Sequence, residues 1–226
     1  MAVVQRRTGM RAETLEKRER ILDAALNTFG SKGYTKGSLA EIAEQVDMTH
    51  AGVLHHFGTK DALLLEVLRH RDESDVAGLE EKHIPDGVEL FRHLVRTAFA
   101  NARRAGIVQA YAVLSAESVT DDNPGRTYFV GRYRTLRAEV AQAFRVMCTE
   151  NDVAVPDDVD AAAASILAVM DGLQVQWLLD PERLELAEST ARAIDAIVTS
   201  VLDPRPSQLG DREGWLHVET RATPAP

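Results

Sequence analysis

The chain has 226 residues, enough for one large domain or two small ones, and 45% are hydrophobic, so a sizeable core is available. Its single cysteine, Cys148, excludes a framework of internal disulfides and suits a reducing compartment. The formal net charge of −9 looks unfavourable for binding nucleic acid until it is divided. Residues 1–60 carry nine Lys/Arg against seven Asp/Glu, whereas residues 61–226 carry seventeen against twenty-eight, so a mildly basic head sits on an acidic body. Alanine is abundant and strand-like runs are scarce, which predicts an all-α fold. No secretory leader and no apolar run long enough to cross a bilayer is read, so a cytoplasmic location without a membrane partner is expected.

Residues 1–12 hold Arg6, Arg7 and Arg11 and are expected to form a flexible basic arm. The first helix is predicted from Glu13 to Lys32. Ile21, Leu22, Ala25, Leu26 and Phe29 form its buried stripe, and Gly33 stops it. Tyr34 is expected to pack back on that stripe. The next stretch, Ser38 to Phe57, reads as a helix, a tight turn and a second short helix. Ser38 is a good N-cap, and Glu41 three residues later would complete a capping box. Leu39, Ile42, Ala43 and Val46 share one apolar face. Asp47 stands at the turn, where Asp tolerates a left-handed backbone. Thr49 caps the second helix, which turns Val53 and Phe57 inward and presents His50, Ala51, Gly52, Leu54, His55 and His56 outward to varying degrees. A short helix with small, polar outer residues suits the DNA major groove. Gly58-Thr59 is a break, and Thr59 caps a fourth helix that runs from Lys60 into the 70s.

Pro85-Asp86-Gly87 marks the next boundary. A helix follows from Val88 to Ala105 with Leu90, Phe91, Leu94, Val95, Ala98 and Phe99 on its apolar side, and Gly106 breaks it. Further helices are predicted over about 107–119, 127–151, 156–179 and 182–202. Residues 204–226 are rich in Pro, Gly and charge and read as a tail.

The segment from Lys17 to Leu68 resembles the DNA-binding domain of TetR-type transcriptional regulators. The resemblance rests on Arg20-Ile21-Leu22-Asp23-Ala24-Ala25, Phe29, Gly33-Tyr34, Ser38, Ile42-Ala43, His55-His56-Phe57, and Lys60 leading into Ala62-Leu63-Leu64. Asp171 to Pro181 (DGLQVQWLLDP) resembles the body of the choline-regulator-like branch. There are two departures. Leu54 stands where the family commonly has a Tyr that meets a phosphate, and Gly52 where it often has Thr. Leu54 cannot donate a hydrogen bond but can touch a thymine methyl.

The resemblance implies a helix-turn-helix head over 13–76 and a helical effector-binding and dimerisation body over 77–203. The candidate DNA-binding residues are Lys36, Ser38, Thr49, His50, Ala51, Gly52, Leu54, His55, His56, Thr59 and Lys60. The candidate effector-binding residues are Phe99, Tyr111, Leu114, Tyr133, Met170, Gln174 and Trp177, with Glu117 and Asp171 as carboxylates for a cationic ligand. The candidate dimer residues are Leu173, Trp177, Ile194, Val198 and Val201, on the last two long helices. The expected partners are a palindromic operator duplex, an unidentified small effector and a second copy of the chain.

His50, His55 and His56 lack a Cys or carboxylate at ligand spacing, so no metal is expected. No Gly-rich phosphate loop, HExxH, GxSxG or cysteine pair is present, so neither an enzyme nor a cofactor is expected. The rival reading is a helical protein-interaction module without sequence-specific DNA binding. Salt-sensitive, sequence-selective DNA binding separates the two.

Overall fold

Every regular element among the described residues is helical. The structure, a computed structural model, describes the backbone of residues 2–76 and 86–205, and the side chains of 13–72 and 86–205. In chain order the helices are α1 (Ala2–Lys36), α2 (Leu39–Gln45), α3 (His50–Phe57), α4 (Lys60–Val76), α5 (Gly87–Asn101), α6 (Ala105–Glu117), α7 (Arg126–Glu150), α8 (Val159–Leu179) and α9 (Leu186–Leu202). The expected tail beyond 205 lies outside the described residues. The residues expected to form the arm are helical from Ala2 onward and continuous with α1.

Local chemistry explains most boundaries. Gly33 departs from helical geometry at φ 76°, ψ 168°, which marks the predicted stop, and a last turn follows it to Lys36. Asp47 makes the turn between α2 and α3 at φ 55°. Gly58 ends α3 at φ 79°, and its N–H bonds the Leu54 carbonyl at 2.7 Å. Gly106 does not break α5. The chain leaves that helix at Ala102–Arg104, where Arg104 Nη2 donates to Asn101 Oδ1 at 2.8 Å, and Gly106 sits in the first turn of α6. The last helix begins at Leu186 rather than Glu182, because Asp180–Glu185 forms a turn.

Two cores organise the packing. The first joins the stripe of α1 (Ile21, Ala25, Phe29) to Ile42, Val53, Leu63 and Val67, and takes in Ala110, Leu114 and Phe129 from α6 and α7. Phe29 is fully buried, so truncating it to Ala should cost about 3–5 kcal/mol. The second core fills the space among α5, α7, α8 and α9 around Phe91, Phe144, Ile166 and Ile194. Helix α6 packs along α1, so the head rests directly on the body. Helix α8 is long and apolar enough to cross a membrane by length and composition, contrary to expectation, but it packs against α6, α7 and α9.

Candidate DNA-reading face and effector cavity

The DNA-reading face begins with three helix starts held by their own caps. Ser38 Oγ accepts from Ala40 N at 3.2 Å, Thr49 Oγ1 from Gly52 N at 3.1 Å, and Thr59 Oγ1 from Ala62 N at 3.0 Å. The capping box at Ser38 is incomplete. Glu41 turns instead to Lys32, whose ammonium it meets at 2.6 Å. Along α3, Val53 and Phe57 are buried as predicted, and His50, Ala51 and His55 are exposed together with Thr49. Gly52, Leu54 and His56 are half-buried. A Cβ at Gly52 would come within 3.1 Å of Met48 Cε, so the missing side chain lets the turn close over α3. Lys36, Ser38 and Thr59 are exposed.

Lys60 is the most constrained of the candidates. Its ammonium stands 4.5 Å from the Tyr34 ring centroid and donates to the Thr35 carbonyl at 3.4 Å, which fixes the start of α4 beside the turn into α2. Burial pulls its pKa below the ordinary lysine value. His56 lies toward α1, and burial, then the neighbouring charges of His55, Arg18 and Lys17, lowers its pKa. Sequence reasoning missed Arg18, which clamps the end of α3. Arg18 donates to the His56 carbonyl at 2.7 Å, pairs with Glu66 at 3.2 Å, and stacks 4.3 Å from the Phe57 centroid.

A cavity of about 550 Å³ opens in the body where α4, α5, α6, α7 and α8 meet. Leu90, Leu94, Leu136, Val140, Leu167 and Met170 form its apolar wall. Its polar wall carries Arg71 and Asp72 from α4, His93, Thr97 and Asn101 from α5, and Tyr111, Tyr128, Arg132, Thr135, Glu139, Asp171 and Gln174 from the rest of the body. Asp72 is the hub. It pairs with Arg71 at 3.1 Å and with Arg132 at 2.5 Å, and accepts a short hydrogen bond from the Tyr128 hydroxyl. The Arg71 guanidinium lies 4.4 Å from the Tyr111 centroid and that of Arg132 lies 5.6 Å from it. Burial opposes the Arg132 charge, but Asp72 and the tyrosines outweigh it and hold its pKa above the ordinary value. Burial likewise raises the pKa of Asp171, offset in part by the Tyr133 hydroxyl that donates to it at 2.5 Å, and it raises that of Glu139 against the nearby Arg132.

Among the named effector candidates, Tyr111, Met170, Gln174 and Asp171 line this cavity. Phe99, Leu114, Tyr133 and Trp177 do not. Phe99 is 41% exposed on the far side of α5, and Leu114 is sealed in the first core. Tyr133 stands behind the cavity wall and donates to Asp171, and Trp177 lies one turn beyond Gln174. Glu117 is elsewhere altogether, where it accepts the Tyr34 N–H at 2.6 Å beside the break at Gly33. Sequence reasoning missed Arg71, Asp72, Tyr128, Arg132 and Glu139. The legible signal was charge inside an apolar stripe: Arg132 and Glu139 fall at helical spacing with Phe129, Leu136 and Val140, and Arg71 with Leu64, Val67 and Leu68.

The dimer candidates also divide. Ile194 and Val201 are buried in the second core, 2% and 5% exposed, and so are spent within the chain. Val198 packs on the same core, while Leu173 and Trp177 are half-buried. The apolar surface left uncovered on α8 is Val175 and Leu179, 45% and 81% exposed.

Residues 21–67 match the family described as bacterial regulatory proteins, tetR family, and residues 88–203 match the C-terminal region of BetI-type transcriptional repressors. The chain belongs to the TetR family. It is 26% identical over 187 residues to the HTH-type transcriptional regulator BetI of Rhizobium meliloti, covering 80% of this chain and 87% of that protein. It is also 26% identical over 193 residues to the HTH-type transcriptional regulator TtgR of Pseudomonas putida, covering 81% and 90%. Among solved structures it is similar to Salmonella enterica GusR, with TM-score 0.66 and 25% identity over 83% of this chain and 96% of that one. A regulator from Saccharomonospora viridis in complex with choline aligns with TM-score 0.59 and 23% identity, over 80% and 95%. This TetR-family chain is a DNA-binding transcriptional regulator with an N-terminal helix-turn-helix.

Proposed function

We propose that the chain is a homodimeric repressor that reads a palindromic operator and is released when a small molecule occupies the body cavity. The observation that carries this reading is the double attachment of α4. Its Leu63, Leu64 and Val67 are locked into the head core, and its Arg71 and Asp72 form part of the cavity wall. An occupant that shifts Arg132 or Tyr128 shifts Asp72, and through α4 the spacing of the two reading helices. The loss of operator affinity then equals the occupant's preference for the shifted state. A regulator of this fold from Saccharomonospora viridis is found in complex with choline, which makes choline one candidate occupant here. We place the head at 13–76 and the body at 77–203, with the protein acting in the cytoplasm on chromosomal DNA and by binding rather than catalysis.

Within the head, Thr49, His50, Ala51 and His55 meet base edges and sugar, while Lys36, Ser38, Thr59 and Lys60 meet phosphates at the helix starts. Gly52 and Leu54 approach the groove through backbone and apolar contact, and His56 supports the helix from behind. The second copy docks on α8 around Leu173, Val175, Trp177 and Leu179, with α9 alongside.

The test screens small molecules for those that raise the melting temperature of the wild-type dimer but not of a Leu136→Trp variant, which fills the cavity. Each such compound should weaken operator binding in a gel-shift titration. Cavity ligands that leave operator affinity unchanged would contradict the release mechanism.

A further inference from the structure

The polar wall of the cavity holds two carboxylates with acceptor capacity to spare. Glu139, half-buried on α7, makes no hydrogen bond or ion pair among the described residues. Asp171 takes the Tyr133 hydroxyl on Oδ2, and no cation stands within ion-pair distance of it. Gln174 is only 6% exposed, faces the cavity one turn beyond Asp171, and its carboxamide makes no hydrogen bond among the described residues. An occupant with an N–H group can donate to its carbonyl oxygen. The two arginines are both paired with Asp72 through Nη1, and Arg132 keeps a buried Nε without a hydrogen-bond partner among the described residues.

Aromatic surface is equally committed. Tyr111 lies under the Arg71 guanidinium with Arg132 also near its ring, and the edge of its ring system meets Phe129 at 5.5 Å. Tyr128 stands perpendicular to Phe129 at 5.2 Å and gives its hydroxyl to Asp72. A quaternary ammonium needs open aromatic faces and can use no hydrogen-bond acceptor. This cavity offers the reverse.

Spacing adds a second constraint. The Tyr133–Asp171 bond and the Arg145–Asp160 pair at 3.0 Å set α7 and α8 antiparallel in one register. Glu139 lies six residues beyond Tyr133 on α7, so it is about 9 Å further along the cavity than Asp171. Leu136, Leu167 and Met170 line the span between them.

We propose that the cavity takes a linear α,ω-diamine of about four to six methylenes, one ammonium on Asp171 and Gln174 and the other on Glu139. This rests on the reading of the cavity as the effector site. The methylene chain lies on the three apolar side chains, and each ammonium meets a carboxylate that has no cation within ion-pair distance. The Asp72 cluster keeps its internal pairing, and its position responds to the occupant through Arg132, the arginine that faces both carboxylates.

The test is calorimetric titration of the full-length dimer with 1,4-diaminobutane, 1,5-diaminopentane, 1,6-diaminohexane, 1,2-diaminoethane, n-pentylamine and choline. The longer diamines should bind more tightly than n-pentylamine, 1,2-diaminoethane and choline. Glu139→Gln should weaken 1,5-diaminopentane by about tenfold or more and leave n-pentylamine unchanged, whereas Asp171→Asn should weaken both. Diamines that do not bind, or that bind Glu139→Gln as well as wild type, overturn the assignment. Choline binding without diamine binding overturns it too, but leaves the effector-cavity reading standing. That broader reading fails only if cavity ligands from the melting screen leave operator affinity unchanged. Should Glu139→Gln fail to fold by circular dichroism, the wild-type chain-length series decides alone, because affinity independent of diamine length contradicts two fixed carboxylates.

Discussion

Two side chains of the head, Lys60 and His56, carry charge chemistry that can be read directly. Lys60 is held over Tyr34 at the start of α4, and the proposed phosphate contact rests on that fixed cation. Lys60→Ala should weaken binding to all duplexes and reduce the slope of log affinity against log salt by about 1, measured by fluorescence anisotropy across a salt series. An unchanged slope removes that contact. His56 behaves differently. Its folded-state pKa lies below the ordinary value because of burial and the adjacent cations. The unfolded chain therefore binds the proton more readily, and stability should be lost as pH falls through about 6.5 toward the lowered folded value. Melting temperatures from pH 8 to 5 should show this loss, and His56→Gln should flatten it. His50, exposed on the same helix, should alter sequence preference when replaced, and an unaltered preference would remove it from the readout.

At the scale of elements, α4 and α6 are two separate ties between head and body. The α4 tie runs through Asp72, where Arg71, Arg132 and Tyr128 converge. Asp72→Asn leaves two largely buried guanidiniums without their carboxylate and should cost about 3 kcal/mol, read as a lowered urea midpoint. The α6 tie runs through Glu117, which accepts the Tyr34 N–H just after the break at Gly33. Gly33→Ala places a Cβ 2.2 Å from Glu117 Oε1 at a φ of +76°, so it should destabilise the chain by about 2 kcal/mol and disturb operator binding as well. Neither tie was legible from local pattern, because each joins residues far apart in the chain. The head was legible because its signals are local: caps at Ser38, Thr49 and Thr59, a turn at Asp47, a stop at Gly33. The cavity was legible only at Tyr111, Met170, Asp171 and Gln174, where an aromatic, a thioether or a polar group fell on an apolar stripe. Arg132 and Glu139 looked like ordinary surface charge until helix packing turned them inward. Ile194 and Val201, named for the dimer, lie in the second core of their own chain, because periodicity identifies a buried face without saying which chain buries it.

For the whole molecule, operator reading requires two heads at a fixed separation, and the proposed docking surface for the second copy is the uncovered apolar residues of α8. Leu179→Glu, at a position 81% exposed, should leave the fold intact and convert the dimer to monomer in sedimentation, with operator affinity lost in parallel. A dimer that survives this change docks elsewhere. The charge division, a basic head on an acidic body, directs DNA to one end of such a dimer. The central claim, that this regulator reads a palindrome as a dimer, is tested most directly by selection from a random duplex library followed by sequencing of the retained DNA. The account predicts an enriched inverted repeat whose half-sites lie about one helical turn or slightly more apart, with retention that falls steeply as salt rises. No enrichment at low salt, from folded dimeric protein, would contradict it.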